Sequence, residues 1–577
     1  MSDIARADYT DRLNLRRATI AAALVALIVF SWRIAEVRPS ALFASDAISA
    51  VIDFLRGLFP PDLSADFLGV VFVAAGRTVS IAIAGTLLSI LIGLPLGAVA
   101  ASTLFRRGIL LAGERRGAWT FLLVGVSRAA RALLGFLRAV PDLMWGLLFV
   151  VAVGLGSLAG ALALAVSYAG VLGRVYADVF DSVDGRPVEA LHATGATRSQ
   201  VFLRAVWPQS RPTIIAYTLY SFECCMRAAS VLGFIGAGGI GYEISLSMRL
   251  YRYDQVLTLI IAFILLLTAT DAFSRYLRRR FRANAPQGTL AHERFNGLGL
   301  ITGIPLERVM NISIAAIAIA AVTASFYASG FFDGSLMDAS LLSRISRFVG
   351  AMMPPELSAS FLRSLIEPLF QTIAISVMGT LIGMITGALL ALPATATLIF
   401  VEEDEAGKRS RLERAARRMT YTLARTVLSL LRSIPELVWV LMCIIAVGLG
   451  PFAGAIAIGL HTGGVLGKLY AETLEEVPEN PLEALRSTGA RRMQILAWGI
   501  WPQARPMLVS YTVLRWETNL RVSTVLGLVG GGGLGQAIYN NIQLGFYTKV
   551  ATLILAVYAL VVTTDWIGDR VRERPAS

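Results

Sequence analysis

Between Arg77 and Arg106 no residue carries a charge. Such a run is long enough to cross a bilayer, which takes roughly 20 apolar helical residues. The same holds between Asp142 and Arg174 and between Asp254 and Asp271. The second half repeats the pattern in Pro368 to Val401, Leu437 to Gly467 and Val550 to Thr564. Composition agrees, with 56% of the 577 residues hydrophobic and 16% charged, against about 25% charged in an ordinary soluble domain. One large soluble enzyme could not cover its surface with so few charges. Three cysteines and 52 glycines also exclude a disulfide scaffold and a collagen-like fibre.

A first helix is expected at about 18–34 and its counterpart at about 309–329. The stretch 143–173 is too long for one span, and Gly154-Leu155-Gly156 splits it into two helices joined by a tight hairpin. Gly448-Leu449-Gly450 does the same in the second half. The expectation is six spans per half, twelve in all. The basic n-region before the first span is reminiscent of a signal peptide. Its counterpart lies mid-chain, so the first span is read as a membrane anchor.

Arginine in the short loops sets the orientation. Arg12, Arg16 and Arg17, then Arg106, Arg107, Arg115, Arg116, Arg128 and Arg131, then Arg186, Arg198, Arg204 and Arg211, and finally Arg275, Arg278, Arg279, Arg280 and Arg282 fall on one side if every span crosses. That side is read as the cytoplasm, with both termini there. Segment 35–68, with Glu36, Asp46, Asp53, Asp62 and Asp66, lies opposite. The net charge of +13 follows from this bias, and no basic patch on a soluble face points to nucleic acid.

Aligning the halves gives one constant offset. Pro60-Pro61 matches Pro354-Pro355, Thr78 matches Thr372, Pro141 matches Pro435, Glu189 matches Glu483, and Asp271 matches Asp565. Each pair differs by 294 positions, as 483 − 189 = 294. Two copies with an even number of spans enter the membrane in the same sense. The expected architecture is an all-α membrane protein of twelve transmembrane helices, arranged as two parallel six-helix repeats, 1–282 and 301–577, with a shared path where they meet. The polar, turn-rich segment 283–300 reads as a cytoplasmic linker.

The segment that repeats best is the loop after the fourth span. One copy runs Pro187-Val188-Glu189-Ala190-Leu191-His192-Ala193-Thr194-Gly195-Ala196 and reaches Trp207-Pro208-Gln209. The other runs Pro481-Leu482-Glu483-Ala484-Leu485-Arg486-Ser487-Thr488-Gly489-Ala490 and reaches Trp501-Pro502-Gln503. Over 187–212 and 481–506, fourteen of 26 positions are identical. Proline at the first turn starts one short helix, and Glu189 sits where the helix dipole favours an anion. Gly195 ends that helix, and a second helix is expected to run to about Val206 and break at Pro208. An amphipathic helix lying on lipid would serve the same composition. A docking knob explains better why glutamate, glycine and proline keep their spacing in both copies.

This pattern resembles the Glu-Ala-Ala…Gly loop of the membrane subunits of bacterial binding-protein-dependent ABC importers. Leu191 and Leu485 stand where that family has its second alanine. The resemblance implies a methionine-permease-like fold and a place in the bacterial inner membrane. It also implies two ATP-binding subunits seated on Glu189, Ala190 and Gly195 and on Glu483, Ala484 and Gly489, and a periplasmic or extracellular solute-binding protein. ATP and magnesium would reside on the partner ATPase, and this chain would bind no cofactor and be no enzyme. A Walker-type phosphate loop needs Gly-Lys-Ser/Thr, and that triplet does not occur here.

The fifth span carries Glu223, Cys225 and Arg227 in one copy and Glu517, Asn519 and Arg521 in the other, each followed by a glycine-rich run from Gly233 or Gly527. Glutamate and arginine four apart share a helix face and can pair. Ionisable groups at that depth are costly and usually face a path or the bundle interior. They are read either as anion-attracting residues of the path or as ion pairs that fix packing. The glycine run lets backbones pack closely and bend at the outer mouth. The run from Glu517 resembles the phosphonate-type permease subfamily, fully in the second copy and with Cys225 replacing asparagine in the first. The resemblance implies a phosphorus oxyanion as cargo, whether phosphonate, phosphite or phosphate. A tetrahedral anion suits the guanidinium fork.

Pro141 and Pro435 sit between an arginine and an acid, Arg138 and Asp142 or Arg432 and Glu436. They read as kinks with a surface ion pair, or as bends used in gating. Trp145 and Trp439 read as packing residues. His461 faces Ser167 in the repeat register and is not a symmetric ligand. Cys224, Cys225 and Cys443 lack metal spacing. The competing functional class is an ion-coupled secondary transporter built from parallel repeats, which would leave the twin loops unexplained. A permease for another small anion or an amino acid is the nearer alternative.

Overall fold

The computed structural model describes residues 18–19, 22–101, 118–283, 319–331, 339–399 and 411–572. Arg12, Arg16, Arg17, Arg106, Arg107, Arg115, Arg116, nearly all of the linker 283–300 and both chain ends lie outside the described residues. All regular structure among those described is helical.

Helices α1 (Ala22–Ile34) and α2 (Ser45–Gly57) come first. The first repeat continues with α3 (Ala65–Ala100), α4 (Ala118–Ala139), α5 (Asp142–Val153), α6 (Ser157–Asp181), α7 (Gly185–Ala193), α8 (Trp207–Leu232), α9 (Ile240–Arg249) and α10 (Tyr253–Ala283). The second repeat has α11 (Ile319–Ala328) and α12 (Ala339–Ala351). It continues with α13 (Ile366–Ala394), α14 (Arg411–Ser433), α15 (Glu436–Val447), α16 (Pro451–Glu475), α17 (Glu479–Ser487), α18 (Trp501–Leu526), α19 (Gly533–Gln543) and α20 (Tyr547–Arg572).

Among the described residues eight helices are long and apolar enough to cross a membrane, or up to ten if each of two bent pairs is one span. The chain is therefore a multi-pass membrane protein. The twelve expected spans are not reached among the described residues, because α1 and α11 are too short as described to cross. The bent pairs are α4 with α5, at 89°, and α14 with α15, at 96°. Pro141 and Pro435 stand at these corners as N-caps of the shorter helices. The expected kink is thus a full break, because proline removes a ladder donor and disfavours helical backbone in the residue before it.

The chain divides into two compact units, residues 57–350, and 1–56 with 351–577. In the unit 57–350, α3 and α6 approach so closely that a Cβ on Gly97 would lie 2.6 Å from the Gly173 carbonyl. Lipid supplies no hydrophobic drive between helices, so small residues and van der Waals contact hold such pairs. Arg344 of α12 reaches the Val153 carbonyl of this unit at 3.5 Å. In the other unit α13 and α16 pack in the same way. There Ala35 joins Ala374, Met378 and Ala455 in one buried cluster, and Phe30 meets Phe370 edge-on at 5.3 Å. The helix leading into the first repeat thus packs with the second.

The duplication survives as bonds in register. Tyr176 and Thr218 hydroxyls lie 2.7 Å apart, and Tyr470 and Thr512 lie 2.5 Å apart. Arg131 pairs with Asp181 at 3.0 Å and donates to the Ala100 carbonyl. Arg425 pairs with Glu475 at 2.7 Å and donates to the Ala394 carbonyl. The hairpins at Gly154 to Gly156 and Gly448 to Gly450 form as expected, with φ of 113° and 138°, and 84° and 143°.

Candidate functional site

The twin loops fold as helical knobs pinned from below. Helix α7 is capped by Asp184, whose carboxylate accepts from the Arg186 N–H. Val188 is 3% exposed in a cluster with Tyr176, Phe180, Val201 and Ile214, and Leu482 is 2% exposed against Tyr470, Leu474, Ile500 and Leu508. These single apolar anchors turn the neighbouring residues outward. Glu189, Ala190 and Gly195 are exposed, as are Glu483, Ala484 and Gly489. Gly195 has φ 78° and Gly489 φ 77°, and open space surrounds the position of a Cβ on each. Glycine is required there by the left-handed backbone that ends the helix, not by crowding.

The second loop helix does not break at Pro208. The chain passes through a wide π turn at Phe202–Val206 and continues as α8, with Ile495–Ile500 leading into α18 in the same way. A widened turn accommodates a proline ring that would clash in a regular ladder. The Gln209 amide donates to the Ala205 carbonyl at 3.0 Å, and Gln503 to Gly499 at 2.8 Å. The repeated Trp-Pro-Gln is thus a self-capping joint that carries each knob rigidly into a spanning helix.

The glycine runs are breaks within a span rather than bends at its outer mouth. After α8 the chain makes a short 3₁₀ turn at Gly233–Ile235 and re-enters helix as α9. The Ile240 N–H donates to Thr78 Oγ1 at 2.9 Å, and the Leu534 N–H to Thr372 Oγ1 at 2.9 Å. Thr78 lies thirteen residues into α3, about 20 Å from its start at ~1.5 Å per residue. A Cβ on Gly233 would lie 2.5 Å from the Tyr242 nitrogen, and one on Gly527 2.3 Å from the Gly532 carbonyl. Both turns therefore need glycine at that point.

The acid–base pairs form between helices, which corrects the expected pairing four residues apart. Glu223 on α8 pairs with Arg278 of α10 at 2.7 Å, and Glu517 on α18 with Arg572 of α20 at 2.7 Å. Arg572 also holds Asp569 at 2.6 Å. Arg521 pairs with Asp565. Arg227 is exposed and forms no ion pair among the described residues, although Asp271 stands where the second repeat has Asp565. The arginines of α10 and α20 and the acid of α20 were missed as site residues. Their signal was the register itself, since Arg278 and Arg572, like Asp271 and Asp565, differ by 294 positions.

Asn519 is 1% exposed and joins three helices. It accepts from Thr462 Oγ1 at 3.0 Å and donates to Thr380 Oγ1 at 2.9 Å. Cys225, its counterpart, is fully buried. Glu436, after the Pro435 corner, meets His461 and Arg515 rather than forming a surface pair. Trp145 and Trp439 donate to the Leu137 and Leu431 carbonyls at 3.3 and 3.1 Å, which ties each corner across the break. Among the described residues no group of three or more His, Cys, Asp and Glu could hold a metal ion.

Two exposed knobs, each continuous with a spanning helix, and two broken spans per copy are features that a sequence family can be matched on. Residues 108–283 and 412–576 both match the family described as binding-protein-dependent transport system inner membrane component. The chain belongs to that family. It carries the family's unit twice, with one knob in each match.

Among members of the family, the phosphate-import permease protein PhnE of Mycolicibacterium smegmatis is 30% identical over 561 residues, covering 95% of this chain and 93% of that protein. The phosphite transport system permease protein PtxC of Stutzerimonas stutzeri is 35% identical over 40% of this chain and 78% of its own length. A chain of an inward-facing MetNI methionine ABC transporter aligns with 38% of this chain and 98% of its own, at 24% identity and a TM-score of 0.32. That likeness is too slight to carry an argument.

Proposed function

We propose that this chain is the membrane-spanning permease of an ATP-driven importer that carries a phosphorus oxyanion into the cytoplasm. The cargo class is phosphonate, phosphite or phosphate. The observation that carries the reading is the likeness to a phosphate-import permease along 95% of the chain, with both knobs exposed.

The permease comprises two repeats, 1–282 and 301–577, joined by a cytoplasmic linker at 283–300, with a methionine-permease-like fold. Twelve crossings result if α1, α11 and both bent pairs each span, and both termini then face the cytoplasm. Two ATPase subunits, carrying ATP and magnesium themselves, seat on Glu189, Ala190 and Gly195 and on Glu483, Ala484 and Gly489. A solute-binding protein delivers the anion from outside. Closure of the ATPases pushes each knob, and the continuous joint at Trp207 or Trp501 passes that displacement to α8 or α18. Arg227 is the first-repeat cation available to an anion, while Arg521 is engaged by Asp565. Glu223, Glu517 and Asn519 hold the fifth spans in place. The corners at Pro141 and Pro435 and the glycine turns at Gly233 and Gly527 are where the bundle flexes.

Co-expression with an ATPase subunit and a binding protein, followed by uptake into vesicles, tests the reading. ATP-dependent accumulation of phosphate, phosphite or methylphosphonate is expected. Accumulation driven by an ion gradient without nucleotide would overturn it.

A further inference from the structure

The repeats share their register but not their chemistry at one level of the bundle. Glu436 opens α15 just after the Pro435 corner. Its Oε1 lies 3.0 Å from His461 Nε2 on α16 and 3.5 Å from Arg515 Nη2 on α18. His461 Nδ1 lies 3.1 Å from the Ile434 carbonyl, on the far side of the corner. The ring thus bridges the Glu436 carboxylate and the backbone on the other side of the corner. From Arg515 the bonds continue inward. Its Nε donates to Thr462 Oγ1 at 3.4 Å, Thr462 donates to Asn519 Oδ1 at 3.0 Å, and Asn519 donates to Thr380 Oγ1 on α13 at 2.9 Å. Thr380 in turn donates to the Ser376 carbonyl at 2.7 Å. Each hydroxyl donates once and accepts once, so the chain is directionally consistent. Thr462 is 0% exposed and His461 7%.

The first repeat lacks the histidine, the arginine and the asparagine of this chain of bonds. The counterparts of Glu436, His461, Thr462, Arg515, Asn519 and Thr380 are Asp142, Ser167, Tyr168, Ser221, Cys225 and Thr86. Neither position that faces His461 and Arg515 in the second repeat carries a cation here, and the Thr86 hydroxyl donates to Ala82 at 2.7 Å and meets the Cys225 thiol instead of an amide. Burying an acid, a histidine and an arginine in a span is costly, and a polar network that joins four helices restrains that part of the bundle.

We infer that His461, Arg515 and Asn519 are positioning residues of the second repeat alone. They bind the segment after the Pro435 corner to α16 and α18, so that a push on the Glu483 knob reaches the corner as one body. The first repeat bends at Pro141 without that link. The two halves therefore contribute unequally to coupling. This rests on the proposed docking of an ATPase at Glu483.

The test installs the first repeat's residues in the second. His461→Ser, Arg515→Ser and Asn519→Cys, singly and together, are reconstituted with the ATPase and binding protein. Phosphate, phosphite and methylphosphonate taken up are measured per ATP hydrolysed. The ratio is expected to fall at least fivefold in the triple variant while the ATPase still co-purifies. Ser167→Ala and Ser221→Ala should change the ratio less than twofold. A merely structural role would lower hydrolysis and uptake together and leave the ratio unmoved. Should the triple variant not fold, Arg515→Lys and Asn519→Ser decide. Lysine, which keeps the charge on Glu436 but loses the bond to Thr462, should retain more coupling than Arg515→Ser, and Asn519→Ser should lower the ratio measurably. A ratio within twofold of the unaltered protein in all these variants, or equal losses from the first-repeat serines, would overturn the inference. Failure of the unaltered protein to take up any of the three anions with ATP would instead overturn the function on which it rests.

Discussion

Glu517 and Arg572 lie 2.7 Å apart, joining α18 to the last residue of α20, and Glu223 and Arg278 form an ion pair at the same distance in the other repeat. In both copies the partners are 55 positions apart, as 572 − 517 = 55 and 278 − 223 = 55. In each repeat the helix after the knob, α8 or α18, is therefore clasped to α10 or α20. Glu517 is 6% exposed, so its partner is what makes the buried carboxylate tolerable. Glu517→Gln is expected to destabilise by about 1.5–3 kcal/mol, the range for a hydrogen bond to a charged group. Pairing it with Arg572→Gln should recover part of that loss. Detergent unfolding of the two variants and the double measures the coupling.

Gly568 lies beneath the same carboxylate. A Cβ there would stand 1.6 Å from Glu517 Oε1. Gly568→Ala should therefore displace Glu517 from Arg572 and reproduce most of the Glu517→Gln loss in the same assay. Added to Glu517→Gln/Arg572→Gln, it should cost less than it does alone.

The twin knobs separate conformation from bulk. Since open space surrounds a Cβ at Gly195 and Gly489, the penalty there comes from the left-handed backbone. Asparagine tolerates that region far better than a β-branched residue does. Gly195→Asn with Gly489→Asn should keep an ATPase co-purifying, and Gly195→Val with Gly489→Val should lose it at least tenfold.

Thr78 accepts the first N–H of re-entering α9, and Thr372 accepts the second N–H of α19, after Gly533 has donated to Gln371. Thr78→Ala and Thr372→Ala should each cost about 1 kcal/mol, the usual loss for a removed cap. Thr78→Ser and Thr372→Ser keep the hydroxyl and should cost less. Hydrogen exchange at Ile240 and Leu534 reads the difference directly.

Arg227 and Arg521 are expected to differ. Arg521→Ala removes the Asp565 ion pair on α20, so Asp565→Asn should partly restore stability. Arg227→Ala removes an exposed cation with no such consequence, and it should lower anion uptake without lowering the unfolding midpoint. Uptake and unfolding measured on both variants separate the two roles.

Much of this was legible because some residues state a backbone requirement. Gly195 and Gly489 end helices, Gly154 and Gly156 make a hairpin, and Pro141 stops a helix, whatever surrounds them. The constant offset carried the duplication, and bonds such as Tyr176–Thr218 and Tyr470–Thr512 recur in that register. What was not legible depends on how helices are rotated against each other. Glu223 and Arg227 lie four apart on one helix, which made pairing plausible, but rotation of α8 turns Glu223 to a cation on α10. The glycine run after Leu232 marked a bend, yet only its contact with Thr78 shows that the bend lies within the span. The Trp-Pro-Gln motif predicted a stop, because proline ordinarily ends a helix. The π turn that absorbs it is a property of the whole loop and not of the proline. The polar chain from Glu436 to Thr380 escaped notice because its members come from four separate helices.

The most direct test of the account is transport by the reconstituted protein with its ATPase and binding protein, in vesicles that hold no ion gradient. Phosphorus-oxyanion uptake that requires ATP hydrolysis, and that ceases with Gly195→Val/Gly489→Val, is the predicted result. Uptake that proceeds without nucleotide, or that survives the loss of both knobs, would contradict it.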